Sequence, residues 1–502
     1  MNAVRQDRIL TEWEESSVAL RRTIFQAFRK LILSTYYALP ASHGDIGFRG
    51  PLYLRQAEVE WEGALPGITS DDEPVARTPV DGRRTFHQHL AEEAARASES
   101  VHPGITQYKD VTRDLEITAD VCVVGTGAGG AAAAARLAEA GYDVVILEEG
   151  GYWREENFTE QESEMVPRLY AERGNRATED LGISLLQGRA VGGSTLVNWM
   201  IMLRTPERVL EEWQRDHGTV GMGEHEMREM YEMVENDVHA RKVPADAHAP
   251  NNRVILDGAQ SAGWNAREAK INAKQCIRAG FCGLGCRYGA KQSTLLTYVP
   301  RALDAGARLF SDAWVDRLEI VESGGPAPIK RVTGHIIDRE THSPRARFSV
   351  RAPIVVLAAG AVGTPAILQR SGLGGGGVGK FLRLHPTTAV VGRFDREMYG
   401  TAGIPQSALS DHFIMENNGY GFWIECPALL PGLASAAIPG FGAQHRGIMQ
   451  EFSNLASLIV LNRDGSNLGS SNGDVTATRN GGTRIRYKMS ASDSFTLAKG
   501  IG

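Results

Sequence analysis

Between Asp120 and Glu148 the chain runs through a short apolar segment, a glycine turn, an alanine-rich stretch and a second apolar segment. Asp120-Val121-Cys122-Val123-Val124 has strand length and β-branched content. Gly125-Thr126-Gly127-Ala128-Gly129-Gly130 follows, then Ala131 to Ala140, then Gly141 as a helix stop, then Asp143 to Leu147. This order predicts a compact βαβ start. In G-x-G-x-x-G the first glycine, Gly125, permits the tight turn. Gly127 lets the backbone approach a pyrophosphate, and Gly130 lets the helix pack against the strand. The helix N-terminus then offers free N–H groups to phosphates. Glu148 lies at the end of the second strand, where a carboxylate can accept both ribose hydroxyls. No Arg follows at once to take a 2′-phosphate, which disfavours NADP. The motif alone does not separate FAD from NAD.

Composition bounds the rest. A length of 502 residues gives a prior of about three domains. A net charge of −6 disfavours a nucleic-acid binder working through bulk charge. No stretch reaches the ~18 apolar residues of a membrane span. The N-terminus, with Arg5, Asp7, Arg8 and Glu12, does not read as a secretory signal. Five clustered cysteines do not make a secreted disulfide framework, so the expectation is a cytoplasmic protein.

A second glycine cluster, Gly188-Arg189-Ala190-Val191-Gly192-Gly193-Ser194-Thr195-Leu196-Val197-Asn198, suits a backbone passing tightly by a ligand. Arg189 can reach a pyrophosphate as a bidentate donor. Together with Leu147-Glu148-Glu149-Gly150, this segment resembles the glucose–methanol–choline (GMC) oxidoreductases, whose pattern reads G-R-x-x-G-G-S-S/T-x-x-N. Gly289-Ala290-Lys291-Gln292-Ser293-Thr294 and Val356 through Gly360 to Pro365 also match, as does Val378-Gly379-Lys380-Phe381-Leu382 with His385-Pro386. In the second of these, Thr364 is expected as N-cap and Pro365 as first helical residue. The family often has Asn where Phe381 stands. The resemblance covers roughly residues 118–500.

The resemblance implies an α/β fold: a Rossmann-like FAD-binding domain with an antiparallel-sheet substrate domain. It implies bound FAD and hydride transfer from an alcohol to flavin N5. Carried over by motif, Gly125, Gly127, Gly130 and Glu148 hold the ADP half. Gly188, Arg189, Gly192, Gly193, Ser194 and Asn198 line the pyrophosphate and flavin, with Gly360 on the second flavin-side turn. Val315 matches the backbone contact to adenine. The expected division is a helical arm and linker over 1–115, the FAD domain over 116–386 with a β-meander at 315–351, and a partial substrate-binding domain over 387–502.

Cys276, Cys282 and Cys286 lie on a glycine-rich loop. Thiolates at such spacing can converge on a soft metal or an iron–sulfur cluster, or remain structural thiols. The spacing resembles GMC sugar dehydrogenases that carry a 3Fe-4S cluster and pass electrons to a cytochrome partner. It also resembles long-chain alcohol oxidoreductases, for which no cluster is implied. The arm Ala27 to Tyr37 and Ile46 to Pro51 resembles small subunits of membrane-linked dehydrogenases and long-chain alcohol dehydrogenases, which leans the substrate toward a long-chain alcohol. Ile24, Phe25, Phe28, Leu31, Ile32 and Tyr36 are expected on one helical face, among Arg21, Arg22, Arg29 and Lys30. Such a helix docks on its own domain, or makes a peripheral membrane or subunit contact.

The family's base, a His beside a second His or Asn near the C-terminus, has no counterpart motif here, so no catalytic residue is assigned. His385, His412 and His445 are the last histidines, and none stands in that motif. A terminal helix capped by Ser492 or Asp493 stops soon after Lys499. The expectation is a C-terminally truncated oxidoreductase that binds FAD weakly and does not turn over. The alternative from another class is a non-catalytic flavin-binding protein. The electron acceptor is not readable from the sequence.

Overall fold

The computed structural model describes residues 3–55, 64–69, 74–76, 100–322, 328–398, 400–465 and 471–502. The polar helix expected at 87–98, most of the linker at 62–84 and most of the loop at 324–328 lie outside these residues. Two helices open the chain, α1 (Ala3–Glu14) and α2 (Ala19–Ala38).

A parallel sheet follows, with β1 (Ile105–Thr106), β3 (Val121–Val124), β4 (Val144–Leu147), β5 (Arg308–Phe310) and β9 (Ile354–Leu357) in the order β9-β3-β4-β5-β1. Every residue of β3 and β4 is buried, as parallel strands covered on both faces must be. Strand alternation sorts their side chains. Val121, Val123, Val144 and Ile146 face α3 (Ala128–Glu139), whose Ala131, Ala134, Ala135 and Ala138 form a buried stripe. Cys122, Val124, Val145 and Leu147 face the other way, into a second core with Val315, Val332, Phe348 and Val350.

That second core belongs to the meander. Strands β6 (Ala313–Glu322), β7 (Ile329–Ile337) and β8 (Pro344–Ala352) pair antiparallel in sequence order, and β2 (Leu115–Thr118) adds parallel to β8. The third sheet is antiparallel, in the order β10 (Thr387–Arg393), β13 (Leu455–Asn462), β12 (Phe422–Glu425), β11 (Ala408–Ser410). Its last strand, Arg267–Glu268, comes from far earlier in the chain. The charged stretch 208–240, whose sequence predicts a helix in two pieces around Gly218–Gly223, forms the helices Glu207–His217 and Glu224–Asp237.

Three local expectations are corrected. The helix after β9 runs from Gly360 to Arg370 with Ala359 as N-cap, so Pro365 lies inside it rather than at its start. Gly360, at φ +75°, makes the turn that lets the helix begin early. The last helix, Ala491–Ile501, is capped by Ser490, whose Oγ accepts the Asp493 amide at 3.0 Å. The largest change concerns α2. It docks through Phe25, Arg29, Tyr37 and Ala38, while Phe28, Leu31, Ile32 and Tyr36 face outward.

Arg29 explains that choice of face. Its guanidinium donates to Ala436 O at 3.2 Å and Gly440 O at 2.7 Å, and also to Ile438 O. These carbonyls end helix α4 (Pro431–Ala437). At the other end of α4, the buried Glu162 carboxylate accepts the Gly432 amide at 2.6 Å and the Leu433 amide at 2.9 Å. The Arg29 cation at the C-terminus complements the helix dipole, and the buried Glu162 carboxyl, raised to about 7, accepts the first amides. The aromatic side of α2 was the more apolar candidate, but burial of an arginine with several carbonyl partners outweighed it.

Candidate flavin site

The turn after β3 sits where the nucleotide motif places it, and its glycines divide the steric work. Gly125 has φ +105°, and a Cβ there would lie 2.4 Å from Ala358 O. A Cβ on Gly130 would lie 2.1 Å from Gly125 O. Neither position accepts a side chain. Gly127 and Gly129 differ, because a Cβ at either meets nothing within 4 Å. Their faces border open space at the N-terminus of α3, where the first-turn amides lack helical partners. That is a cradle sized by missing side chains, and it fits a pyrophosphate.

Glu148 holds this turn rather than standing free. Its Oε2 accepts the Thr126 amide at 2.9 Å and the Thr126 hydroxyl at 2.6 Å, and its Oε1 accepts the Gly150 amide at 2.8 Å. Burial pushes its carboxyl up, and these hydrogen bonds oppose that shift. Thr126 Oγ1 also accepts the Gly192 amide at 2.9 Å, which joins the second glycine segment to the first. Thr294 Oγ1 donates to Thr126 O at 2.9 Å, and the Thr294 amide donates to Thr195 Oγ1 at 3.1 Å. Three distant segments are thus tied by Thr126, Thr195 and Thr294. Sequence reasoning passed over these threonines. The one signal was a hydroxyl at the second position of the glycine motif.

The second segment reaches the first at close range, since a Cβ on Gly193 would lie 2.8 Å from Gly127 Cα. Gly192 has φ +101°, and Ser194 Oγ accepts the Gly188 amide at 3.0 Å. Arg189 is paired with Glu149 at 2.8 Å and half-buried. Asn198 is exposed, and its carbonyl accepts the Lys291 ammonium at 2.8 Å. Gly360 faces Gln187, whose Nε2 would be 3.2 Å from an added Cβ. Val315 is buried, and its carbonyl accepts Arg370 Nη2 at 3.0 Å. Arg370 also stacks over Trp314 at 5.1 Å, beside an open cleft lined by Arg317 and Arg479.

Cys276, Cys282 and Cys286 line one pocket, yet among the described residues no three His, Cys, Asp or Glu side chains are disposed to hold a metal ion. Lys291 occupies the middle of the loop instead, donating to Cys282 O at 2.7 Å as well as to Asn198 O. Burial lowers its ammonium to about 8 and raises the Cys282 and Cys286 thiols. Cys282 Sγ packs 4.0 Å from Met200 Sδ, as a core thiol does. The iron–sulfur expectation at Cys276, Cys282 and Cys286 finds no support in this arrangement, in which two buried thiols and the partly buried Cys286 surround a lysine.

The histidines are equally plain. His445 is buried under α2, with Nε2 3.0 Å from Ser435 O and its ring 5.8 Å from Tyr37. His385 and His412 are exposed, and His412 stacks on Trp264. A buried histidine not singled out from sequence, His248, shares a 2.8 Å hydrogen bond with Ser407 Oγ.

The parallel sheet, the open glycine cradle and the second glycine segment tied across it define a Rossmann-type dinucleotide-binding fold. A profile of the GMC oxidoreductase family matches residues 166–387, and one of NAD(P)-binding Rossmann-like domains matches residues 123–178. An uncharacterized GMC-type oxidoreductase of Mycobacterium tuberculosis is 33% identical, over 88% of this chain and 68% of that protein. The chain belongs to the GMC oxidoreductase family. Two long-chain-alcohol oxidases of Arabidopsis thaliana are 28% identical over 87% of this chain and 58% of theirs, and 26% identical over 99% and 69%. Among solved structures, pyridoxine 4-oxidase from Mesorbium loti shares the fold at a TM-score of 0.56 and 16% identity, covering 76% of this chain and 79% of that one.

Proposed function

We propose that this GMC oxidoreductase binds FAD along the Gly125–Asn198 groove and serves the oxidation of a long-chain alcohol. The observation that carries the first half is the open space at Gly127 and Gly129, framed by glycines that admit no side chain. FAD supplies the hydride acceptor when bound. The chain's own residues orient it: the α3 amides and the Gly192–Gly193 backbone at the pyrophosphate, Glu148 at the ribose, and Asn198 and Gly360 toward the flavin. Val315 marks the adenine end. The proposed organisation is an arm, a flavin part and a substrate-binding part divided near residues 115 and 386, with β1 and the start of β2 reaching from the first segment into the sheets of the flavin part. The long-chain preference rests on the two plant relatives and on the resemblance of the arm.

The test is titration of the FAD-loaded 502-residue chain with decanol, ethanol or glucose, read by the flavin absorbance. Decanol perturbs the spectrum at the lowest concentration. An equal or stronger response to glucose would contradict the substrate class and leave the flavin assignment standing.

A further inference from the structure

Among the described residues nothing covers the outward apolar face of helix α2, and that face has the chemistry of a bilayer interface. Arg29 fixes the rotation of the helix by binding the carbonyls at the end of α4. The outward side then presents Phe28, Leu31, Ile32, Tyr36 and Leu39, spaced i, i+3, i+4, i+8 and i+11. Phe28 and Ile32 are each 60% exposed, and Leu20, at the start of the helix, is 67% exposed. Isolated exposed apolar residues are ordinary, but a continuous row along one helix marks an interaction site.

Charge and edge residues choose the occupant. The 20 residues of α2 contain Arg21, Arg22, Arg29 and Lys30 and no acid. Arg29 is spent on α4, and Lys30 donates to Leu181 O at 3.2 Å. Arg21 and Arg22 stay exposed beside the row. Tyr36, within the row and 49% exposed, is an amphipathic ring of the kind that sits at headgroup depth. The acids whose charge reaches the α2 cations are Glu14 on α1, near Arg29, and Asp180, near Lys30, while Glu12 pairs with Arg8 at 3.8 Å. No helix among the described residues is long and apolar enough to cross a membrane, so the contact is one of lying on the surface.

We propose that the outward face of α2 docks on the surface of an anionic lipid bilayer, with Phe28, Leu31 and Ile32 entering the headgroup–acyl boundary and Arg21 and Arg22 meeting lipid phosphates. Under the proposed substrate class, such docking would bring the enzyme to the phase that holds its substrate. The inference itself rests on α2 alone.

The experiment is flotation of the FAD-loaded chain with vesicles of phosphatidylcholine, with and without phosphatidylglycerol. The native chain floats with the anionic vesicles, and less so at high salt. Phe28→Ser/Ile32→Ser weakens binding at least about tenfold, because two side chains no longer leave water. Arg21→Gln/Arg22→Gln abolishes the preference for anionic vesicles. Both variants keep native far-UV circular dichroism and flavin fluorescence, because the changed side chains are exposed. Failure of the native chain to float, or equal flotation of the serine variant, overturns the proposal. So does a dimer in sedimentation that the serine variant dissociates while no vesicle binding is seen, since the face would then belong to a second copy.

Discussion

Thr126 carries more of the site than any glycine beside it. One hydroxyl donates to Glu148 and accepts from Gly192, while its own carbonyl accepts from Thr294. Thr126→Val keeps shape and volume but removes both hydroxyl bonds, leaving the Gly192 amide unpaired in a buried place. A loss of about 2 kcal/mol in unfolding free energy is expected, measured by urea denaturation. A change within about 0.5 kcal/mol would mean that the knot is incidental. The steric roles of Gly125 and Gly130 were legible in sequence because a backbone contact forbids a Cβ and spacing reveals it. The threonine ties were not, because they join residues far apart in the chain and follow no period. The cysteines show the same limit of spacing, which says that thiols share a loop and not where each Sγ points.

At the scale of elements, the short helix α4 is held at both ends by buried polar side chains. Glu162 meets its first amides and Arg29 its last carbonyls, from two segments that are remote in sequence. Arg29→Met retains the aliphatic stem and strips the donors from the α4 carbonyls. It should destabilise the chain by about 3 kcal/mol and release α2 first, seen as early hydrogen exchange in residues 19–38. Uniform exchange loss across the molecule would argue against a local clamp. Strands β3 and β4 and the meander were readable, since buried strands are apolar throughout and half-buried ones alternate, whereas β9, apolar enough to predict full burial, is only partly buried with Ile354 exposed. The docking face of α2 was not. Amphipathicity names an apolar side, and here a buried arginine took the inner position.

For the whole molecule, three buried carboxyls set the response to pH. Burial raises Glu160, Glu162 and Glu425 each to about 7. A carboxyl that titrates near 4.5 when unfolded and near 7 when folded binds more protons in the folded state between those values. Its contribution is therefore full at acid pH and is lost as pH rises through about 7. Glu425→Gln keeps a side chain able to accept from Gln406, the partner seen at 2.6 Å, and removes the titration. Its stability relative to the native chain should rise by about 2 kcal/mol between pH 5 and pH 8. A parallel pH profile in the two proteins would show that Glu425 is not held protonated.

The central claim is that the space beside Gly127 holds the pyrophosphate of FAD. Gly127 has an ordinary φ of −62°, and a side chain there meets no protein atom within 4 Å. Gly127→Val therefore fills the cradle while sparing the fold. The decisive measurement is FAD titration of the native and Gly127→Val chains, followed by flavin fluorescence, with melting temperature recorded alongside. The prediction is saturable binding by the native chain and binding at least about tenfold weaker by the variant, with little change in melting temperature. Equal affinity in the two chains, or no binding by the native one, would contradict it.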